Sequence, residues 1–119
     1  MKEISLFIRS EDLSKVTNIF MKHKVGITFF DINGTGRTPR GAPEVIHSYS
    51  TGRTTIPKFV QRIEVKSVVP DSSAKKIVDE LLTSFDLTSE PYGVMFIKDV
   101  SNAYELGSSI IDDEVLSSK

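Results

Sequence analysis

Cysteine and tryptophan are both absent from this chain of 119 residues. Without cysteine the protein forms neither a disulfide framework nor a thiolate-bound zinc site, and nothing indicates an oxidising compartment. Neither sign of charge is in excess, since the net charge is -1, so the basic surface typical of nucleic-acid binding is missing. No apolar run has the length of a signal segment or a membrane span. These absences predict a cytoplasmic protein that binds no nucleic acid and is not inserted in a membrane.

Residues for metal binding or catalysis are also scarce. The two histidines, His23 and His47, fall in different predicted elements without the spacing of a metal site, so we expect surface side chains and no metal. The acidic run 112–114 lacks spaced oxygen ligands and predicts a solvated tail. Ser and Asp are frequent, but no nucleophile elbow or Ser-His-Asp order is present. The sequence therefore predicts a protein that is not an enzyme.

The first third of the chain predicts a strand, a helix and a second strand. Alternation over residues 4–8 indicates a half-buried strand. Ser10 fits the N-cap of an amphipathic helix that ends near His23 and Lys24, with Gly26 as the following break. A second strand then runs from Ile27 to Asn33-Gly34, and its Phe29-Phe30 pair places one aromatic ring on each face.

A long polar segment follows the second strand. From Thr35 to about Thr55 the composition changes to Gly, Pro, Arg, Ser and Thr, which predicts one long loop, mobile in the free protein. The charged side chains of this loop either bind an anion or a partner's acidic surface, or only keep the loop solvated. The residues that could contact a partner are Arg37, Arg40, His47, Tyr49 and Arg53.

The second half predicts strand, helix and strand again. Interleaved charges predict a third strand over residues 58–69, closed by Pro70-Asp71. Ser72 or Ser73 fits the N-cap of a second helix. Its predicted buried stripe is Ile77, Val78, Leu81, Leu82 and Phe85. A turn over residues 91–93 precedes a fourth strand that begins at Val94 and ends at Lys98-Asp99, and the Ser- and Asp-rich tail from Ser108 is expected to be loose.

The element order β-α-β-β-α-β predicts an α+β, ferredoxin-like split βαβ fold. Its two helices would cover one face of an antiparallel sheet. The other face is expected to carry Phe29, Phe30, Val65 and Phe96. Because so many apolar side chains on an open face need cover, we expect an oligomer that buries this face.

Several segments, in this order, resemble the PII signal-transduction superfamily. They are Lys2-Glu3-Ile4, Thr28, Gly34-Thr35-Gly36-Arg37, Val68-Val69-Pro70-Asp71 and Met95-Phe96-Ile97-Lys98-Asp99-Val100. The most specific of them is the Gly-x-Gly-Arg between a strand and a long loop. The resemblance implies the split βαβ fold, a trimer with ligand clefts between subunits, and a T-loop that docks on a transporter or a metabolic enzyme.

The same resemblance implies a set of ligand-binding residues. Thr28 and the Gly36-Arg37 turn match positions that help to hold an adenine nucleotide in the family, and Arg62 resembles a replacement for a phosphate-binding lysine. Thr38 stands where a glutamine shares in Mg-ATP and 2-oxoglutarate binding. The implied ligand-binding residues are Thr28, Gly34, Gly36, Arg37, Thr38, Arg62 and Gly93. The residues around Tyr49 do not reproduce the family's tyrosine modification motif, so an exposed contact residue is expected there.

The chain departs from the family pattern where phosphate is bound. A Gly-Asp-Gly-Lys loop of typical members is replaced by Pro91-Tyr92-Gly93-Val94, and an Arg-x-Arg by Glu105-Leu106-Gly107. With those cations lost, tight binding of ATP is not expected. AMP, cyclic AMP or ADP is the expected effector rather than Mg-ATP, with a different small anion as the alternative.

Sequence thus predicts a PII-like domain over residues 1–107, with its long loop at about 35–57, and a flexible tail over 108–119. Its predicted function is signalling: effector binding between subunits and regulation of a transporter or enzyme. One alternative is a CutA-like trimer with a metal-tolerance or structural role, against which the Gly36-Arg37 turn and the very long loop argue. An RNA-binding ferredoxin-like domain is disfavoured because the strands lack an aromatic platform and the chain is not basic.

Overall fold

The computed structural model describes residues 1–34, 46–47, 54–55, 60–85 and 93–117. Its elements in chain order are β1 (Lys2–Ile8), a 3₁₀ turn (Ser10–Asp12), α1 (Leu13–Lys22), β2 (Thr28–Gly34), β3 (Ile46–His47), β4 (Thr54–Thr55), β5 (Val60–Val69), α2 (Asp71–Ser84), β6 (Val94–Asp99) and α3 (Asp113–Ser117). The four long strands and the two long helices match the predicted order, with β5 and β6 as the predicted third and fourth strands.

The long strands form one antiparallel sheet in the order β2-β5-β1-β6. The central strand β1 pairs with β5 on one side, where Leu6 faces Val65, and with β6 on the other, where Leu6 faces Met95. The insertion of β5 between β1 and β2 is the arrangement expected of a split βαβ unit. This α+β architecture is compatible with the predicted ferredoxin-like fold.

One face of the sheet packs against α1 and α2 and holds the core. Alternate residues of β1 and β5 point to this face, because successive side chains of a strand point to opposite sides. The buried hydrophobic residues are Ile4, Leu6, Ile8, Val16, Phe20, Ile63, Val65, Val69, Ala74, Ile77 and Leu81. The helices therefore cover one face of the sheet, and the opposite face, here called the open face, has no described helix among its cover and carries exposed side chains such as Phe96.

Helix α1 begins differently from the prediction, and it ends near His23 and Lys24 as predicted. Ser10 opens the 3₁₀ turn rather than capping a helix, and the N-cap position of α1 is Asp12, which makes no side-chain capping bond. The Asp12 carboxylate instead accepts a hydrogen bond from Arg9 Nε at 3.2 Å. The helix ends where Lys24 adopts a left-handed conformation with φ of 59°. Gly26 follows outside the helix, and its carbonyl accepts a hydrogen bond from Ser67 Oγ.

Helix α2 also corrects two predictions. Its N-cap position is Pro70, and no side chain caps it, so neither Ser72 nor Ser73 has the predicted role. Leu82 is 62 % exposed and does not belong to the buried stripe. Phe85 does pack against the core, as predicted, and Lys15 Nζ lies 4.1 Å from the centre of its ring.

Secondary structure is present in two segments that were expected to lack it. Within the predicted loop, β3 and β4 form an antiparallel pair in which Ile46 faces Thr55. In the C-terminal segment, Tyr104 pairs with Ile111, and α3 follows from Asp113. The prediction of one uninterrupted loop is therefore wrong at β3 and β4. The looseness of the tail after Ser108 stays a prediction.

Gly93 packs against the backbone of β1, and a substitution at this position tests that packing. A Cβ atom at Gly93 would lie 3.0 Å from the backbone oxygen of Phe7, whereas one at Gly34 would meet nothing within 4 Å. Because backbone in the sheet cannot easily move, we expect Gly93→Ala to lower the free energy of unfolding by about 1–3 kcal/mol. Gly34→Ala is the matched control, expected to change it by less than about 0.5 kcal/mol. Urea unfolding at equal protein concentration measures both, and equal effects of the two substitutions would contradict this account.

Candidate functional site

Three of the predicted ligand-binding residues lie at the end of the sheet where β2 ends. Gly34 is the last residue of β2 and faces Val60, and Arg62 of β5 faces Ile32. The half-exposed Arg62 donates through Nη1 to the Gln61 carbonyl at 3.3 Å. Gly93 precedes β6 at the same end, with β1 between it and β5. Gly34, Arg62 and Gly93 thus share one end of the sheet.

Thr28 does not lie with that group. It is the first residue of β2, exposed, and it faces Lys66 of β5. About 20 Å of strand separates it from Gly34, at about 3.3 Å per residue. A small ligand of one protomer therefore cannot contact both ends of β2 at once.

Most of the other predicted residues lie outside the described part of the chain. Gly36, Arg37, Thr38, Arg40, Tyr49 and Arg53 are all in this group. The backbone of His47 belongs to β3, but its side chain is outside the description. The interpretation of these residues rests on sequence.

The C-terminal positions where typical PII proteins carry cations form a hairpin. The Glu105 amide donates to the Ile110 carbonyl at 3.0 Å, and Gly107 turns the chain with φ of +90°. Val100 donates to the Met1 carbonyl, which fixes this hairpin at the end of the sheet where β1 begins. Residues 99–117 contain no lysine, arginine or histidine. This segment therefore offers no positive side chain to a phosphate.

The open face of the sheet has a different composition from the predicted one. Val65 is fully buried on the helix face, and Phe29 points to the same face because it pairs with Val65. Phe30 and Phe96 are on the open face, 40 % and 52 % exposed. Phe7 is also on this face, as expected from its place opposite to Ile4, Leu6 and Ile8 in the alternation, and its ring packs edge-on against Phe96 at 6.0 Å between centroids.

Charged pairs lie among these rings. Lys66 Nζ lies 3.5 Å from Glu64 and 5.8 Å from the centre of the Phe30 ring. Lys98 Nζ lies 3.5 Å from Glu3 across the β1–β6 pair. Because Glu64 pairs with both Phe30 and Phe7, the open face alternates aromatic rings with charged pairs, a composition suited to contact with another protein surface.

The expectation that His23 is a surface side chain is wrong. His23 is half-buried rather than on the surface, and its Nε2 lies 2.9 Å from Glu80 Oε1, joining the end of α1 to α2. The hydrogen bond from His23 lowers the pKa of Glu80 below its usual range. Among the described residues no group of three or more His, Cys, Asp or Glu side chains could hold a metal ion. His23 therefore has a structural partner.

A model of the Nitrogen regulatory protein P-II family matches residues 1–108. The chain belongs to the P-II family. The match extends from the first strand through the C-terminal hairpin position Gly107, so it covers both ends of the sheet described above. None of the curated proteins compared with the chain matches it.

The family match confirms the predicted resemblance to the PII superfamily. Proteins of this family are generally signalling regulators rather than enzymes. Within the described residues, no helix is long and apolar enough to cross a membrane.

Proposed function

We propose that this P-II family protein is a non-enzymatic cytoplasmic regulator that binds a small effector in the clefts between the subunits of a homotrimer. The effector is an adenine nucleotide, and the segment 35–57 contacts a transporter or a metabolic enzyme. Residues Arg40, His47, Tyr49 and Arg53 are the proposed partner contacts, and Gly36, Arg37 and Thr38 complete the ligand site at the start of that segment.

The separation of Thr28 from Gly34 carries this proposal. Both belong to the ligand-binding residues that the sequence resemblance implies, yet they occupy opposite ends of one strand. One small ligand contacts both kinds of position only if Thr28 comes from one subunit and Gly34, Arg62 and Gly93 come from its neighbour. This arrangement supports a site that is completed by oligomerisation.

The proposed regulation follows from where the ligand binds. Gly34 and Val60 face each other where the segment 35–59 leaves and re-enters the sheet. A ligand held near Arg62 constrains both ends of that segment, which biases the positions that its middle can occupy. Effector binding would thereby change the affinity for a partner.

Hydrogen exchange tests this coupling directly. We expect AMP to slow exchange in peptides that contain Gly36 and Arg62. At an AMP concentration 100 times Kd, the expected slowing is up to about a hundredfold, because only the ligand-free protein opens. Peptides from the buried part of α2 around Ile77 serve as the internal control and should change less. AMP binding established by calorimetry, together with unchanged exchange around Gly36 and Arg62, would refute the proposed coupling.

A further inference from the structure

Phe30 presents an aromatic ring on the open face beside Thr28. Both residues belong to β2, and they point to the same side because side chains two positions apart in a strand share a face. Phe30 is 40 % exposed, and it follows Thr28 by about 7 Å along the strand. A ligand group that contacts Thr28 from the open face therefore reaches this ring.

A cation borders the same surface. Lys66 faces Thr28 across the β2–β5 pair, and its Nζ atom lies 5.8 Å from the centre of the Phe30 ring. The Lys66 side chain is 42 % exposed, and its Nζ also lies 3.5 Å from Glu64. Thr28 and Lys66 thus offer a hydroxyl and an ammonium group as hydrogen-bond donors beside an exposed aromatic ring. We call Thr28, Phe30 and Lys66 the β2 surface.

The β2 surface is separate from the aromatic pair on the other side of the open face. Phe7 and Phe96 lie on β1 and β6 and pack on each other. Phe30 lies on the opposite edge strand, three strand spacings, or about 14 Å, from β6. Glu64 stands between Phe30 and Phe7 in one cross-strand row. A neighbouring subunit that covers Phe7 and Phe96 can therefore leave Phe30 accessible to a ligand.

We propose that the adenine base of the effector stacks on the Phe30 ring, with Thr28 and Lys66 donating hydrogen bonds to the edge of the base. The proposal rests on the proposed function, in which Thr28 of one subunit completes the ligand site with Arg62 of its neighbour. It assigns the base to the first subunit and the phosphate to the second. Adenine suits the β2 surface because its ring nitrogens accept hydrogen bonds and its flat π-system stacks on an aromatic side chain.

Calorimetric titration with adenosine and with AMP separates the base contact from the phosphate contact. Stacking of a base on one aromatic side chain is worth about a tenfold change in affinity, so Phe30→Ala should weaken the binding of both ligands by about that factor. Arg62→Ala should weaken the binding of AMP but not of adenosine, because adenosine has no phosphate. Phe29→Ala is the matched control, since Phe29 is the adjacent phenylalanine, 53 % exposed on the helix face, and it should leave both affinities unchanged.

Tryptophan fluorescence gives a second readout, because the chain contains no tryptophan. Phe30→Trp introduces a single indole ring, whose emission should be quenched when AMP stacks on it. The indole ring of Phe29→Trp points to the other face of the sheet, and its emission should not change. Sedimentation equilibrium of the same variants should show the wild-type oligomer in Phe30→Ala.

Three results would overturn the stacking. If Phe30→Ala binds AMP as the wild type does, Phe30 does not contact the base, and the site at Arg62 still stands. If Phe30→Ala is monomeric, the ring belongs to the contact between subunits. If the wild type binds no adenine nucleotide, the proposed function fails together with this inference.

Discussion

Replacement of Phe96 by aspartate should convert the proposed trimer to monomers. Phe96 is half-exposed on the open face and packs on Phe7, so another subunit can cover both rings. A carboxylate at this position would be transferred from water into an apolar contact, which costs several kcal/mol per subunit. Since each 1.4 kcal/mol is about a factor of ten in an equilibrium constant, dissociation should be complete at micromolar concentration.

Sedimentation equilibrium distinguishes the two states. The wild type is expected at about three times the protomer mass of 13.2 kDa, and Phe96→Asp at that mass itself. Phe96→Leu is the matched control, since it keeps an apolar side chain and should stay trimeric. A trimeric Phe96→Asp variant would show that the open face is not the interface.

The sequence predicted the sheet because the burial pattern of its central strands is strong. Ile4, Leu6 and Ile8 recur with a period of two, interrupted on the polar side only by Phe7, and all three are buried as that period requires. The element order β-α-β-β-α-β then predicted the split βαβ fold, and the family resemblance implied the same fold. The element order and the family were therefore within reach of sequence reasoning.

The misassigned residues share a physical cause. Phe29 and Phe30 are adjacent, and only the pairing of Phe29 with Val65 determines which ring faces the helices. Leu81 and Leu82 are also adjacent, and the turn of α2 places only Leu81 on the sheet. Both members of each pair are the same residue type, so residue type does not indicate which side chain faces the core. Tertiary contacts decide this, and the sequence does not specify them.

The caps were missed for a related reason. Serine is favoured at N-caps, but a helix begins where its backbone geometry permits, and α2 begins directly after Pro70, which is extended.

The ligand site could be predicted from sequence only as a set of positions. The structure shows that these positions are divided, because β2 places Thr28 at one of its ends and Gly34 at the other.

The second large effect expected is discrimination against ATP. Typical PII proteins place cations at positions occupied here by Val94, Glu105 and Gly107. Val94 is a strand residue of β6, and Glu105 and Gly107 belong to a hairpin without a basic side chain. Because each charge-assisted contact contributes roughly 1.5–3 kcal/mol, the loss of three such contacts should weaken triphosphate binding by about two to four decades. A nucleotide with fewer phosphates loses fewer contacts and is penalised less.

Calorimetric titration of the wild-type protein with AMP, cyclic AMP, ADP and Mg-ATP tests the central claim most directly. The account predicts saturable binding of at least one of the first three ligands, tighter than that of Mg-ATP, and a loss of that affinity by about tenfold or more in Arg62→Ala. Lys75→Ala, which removes an exposed lysine of α2 far in sequence from the site, should bind as the wild type does. Tightest binding of Mg-ATP, or no binding of any adenine nucleotide, would contradict the account.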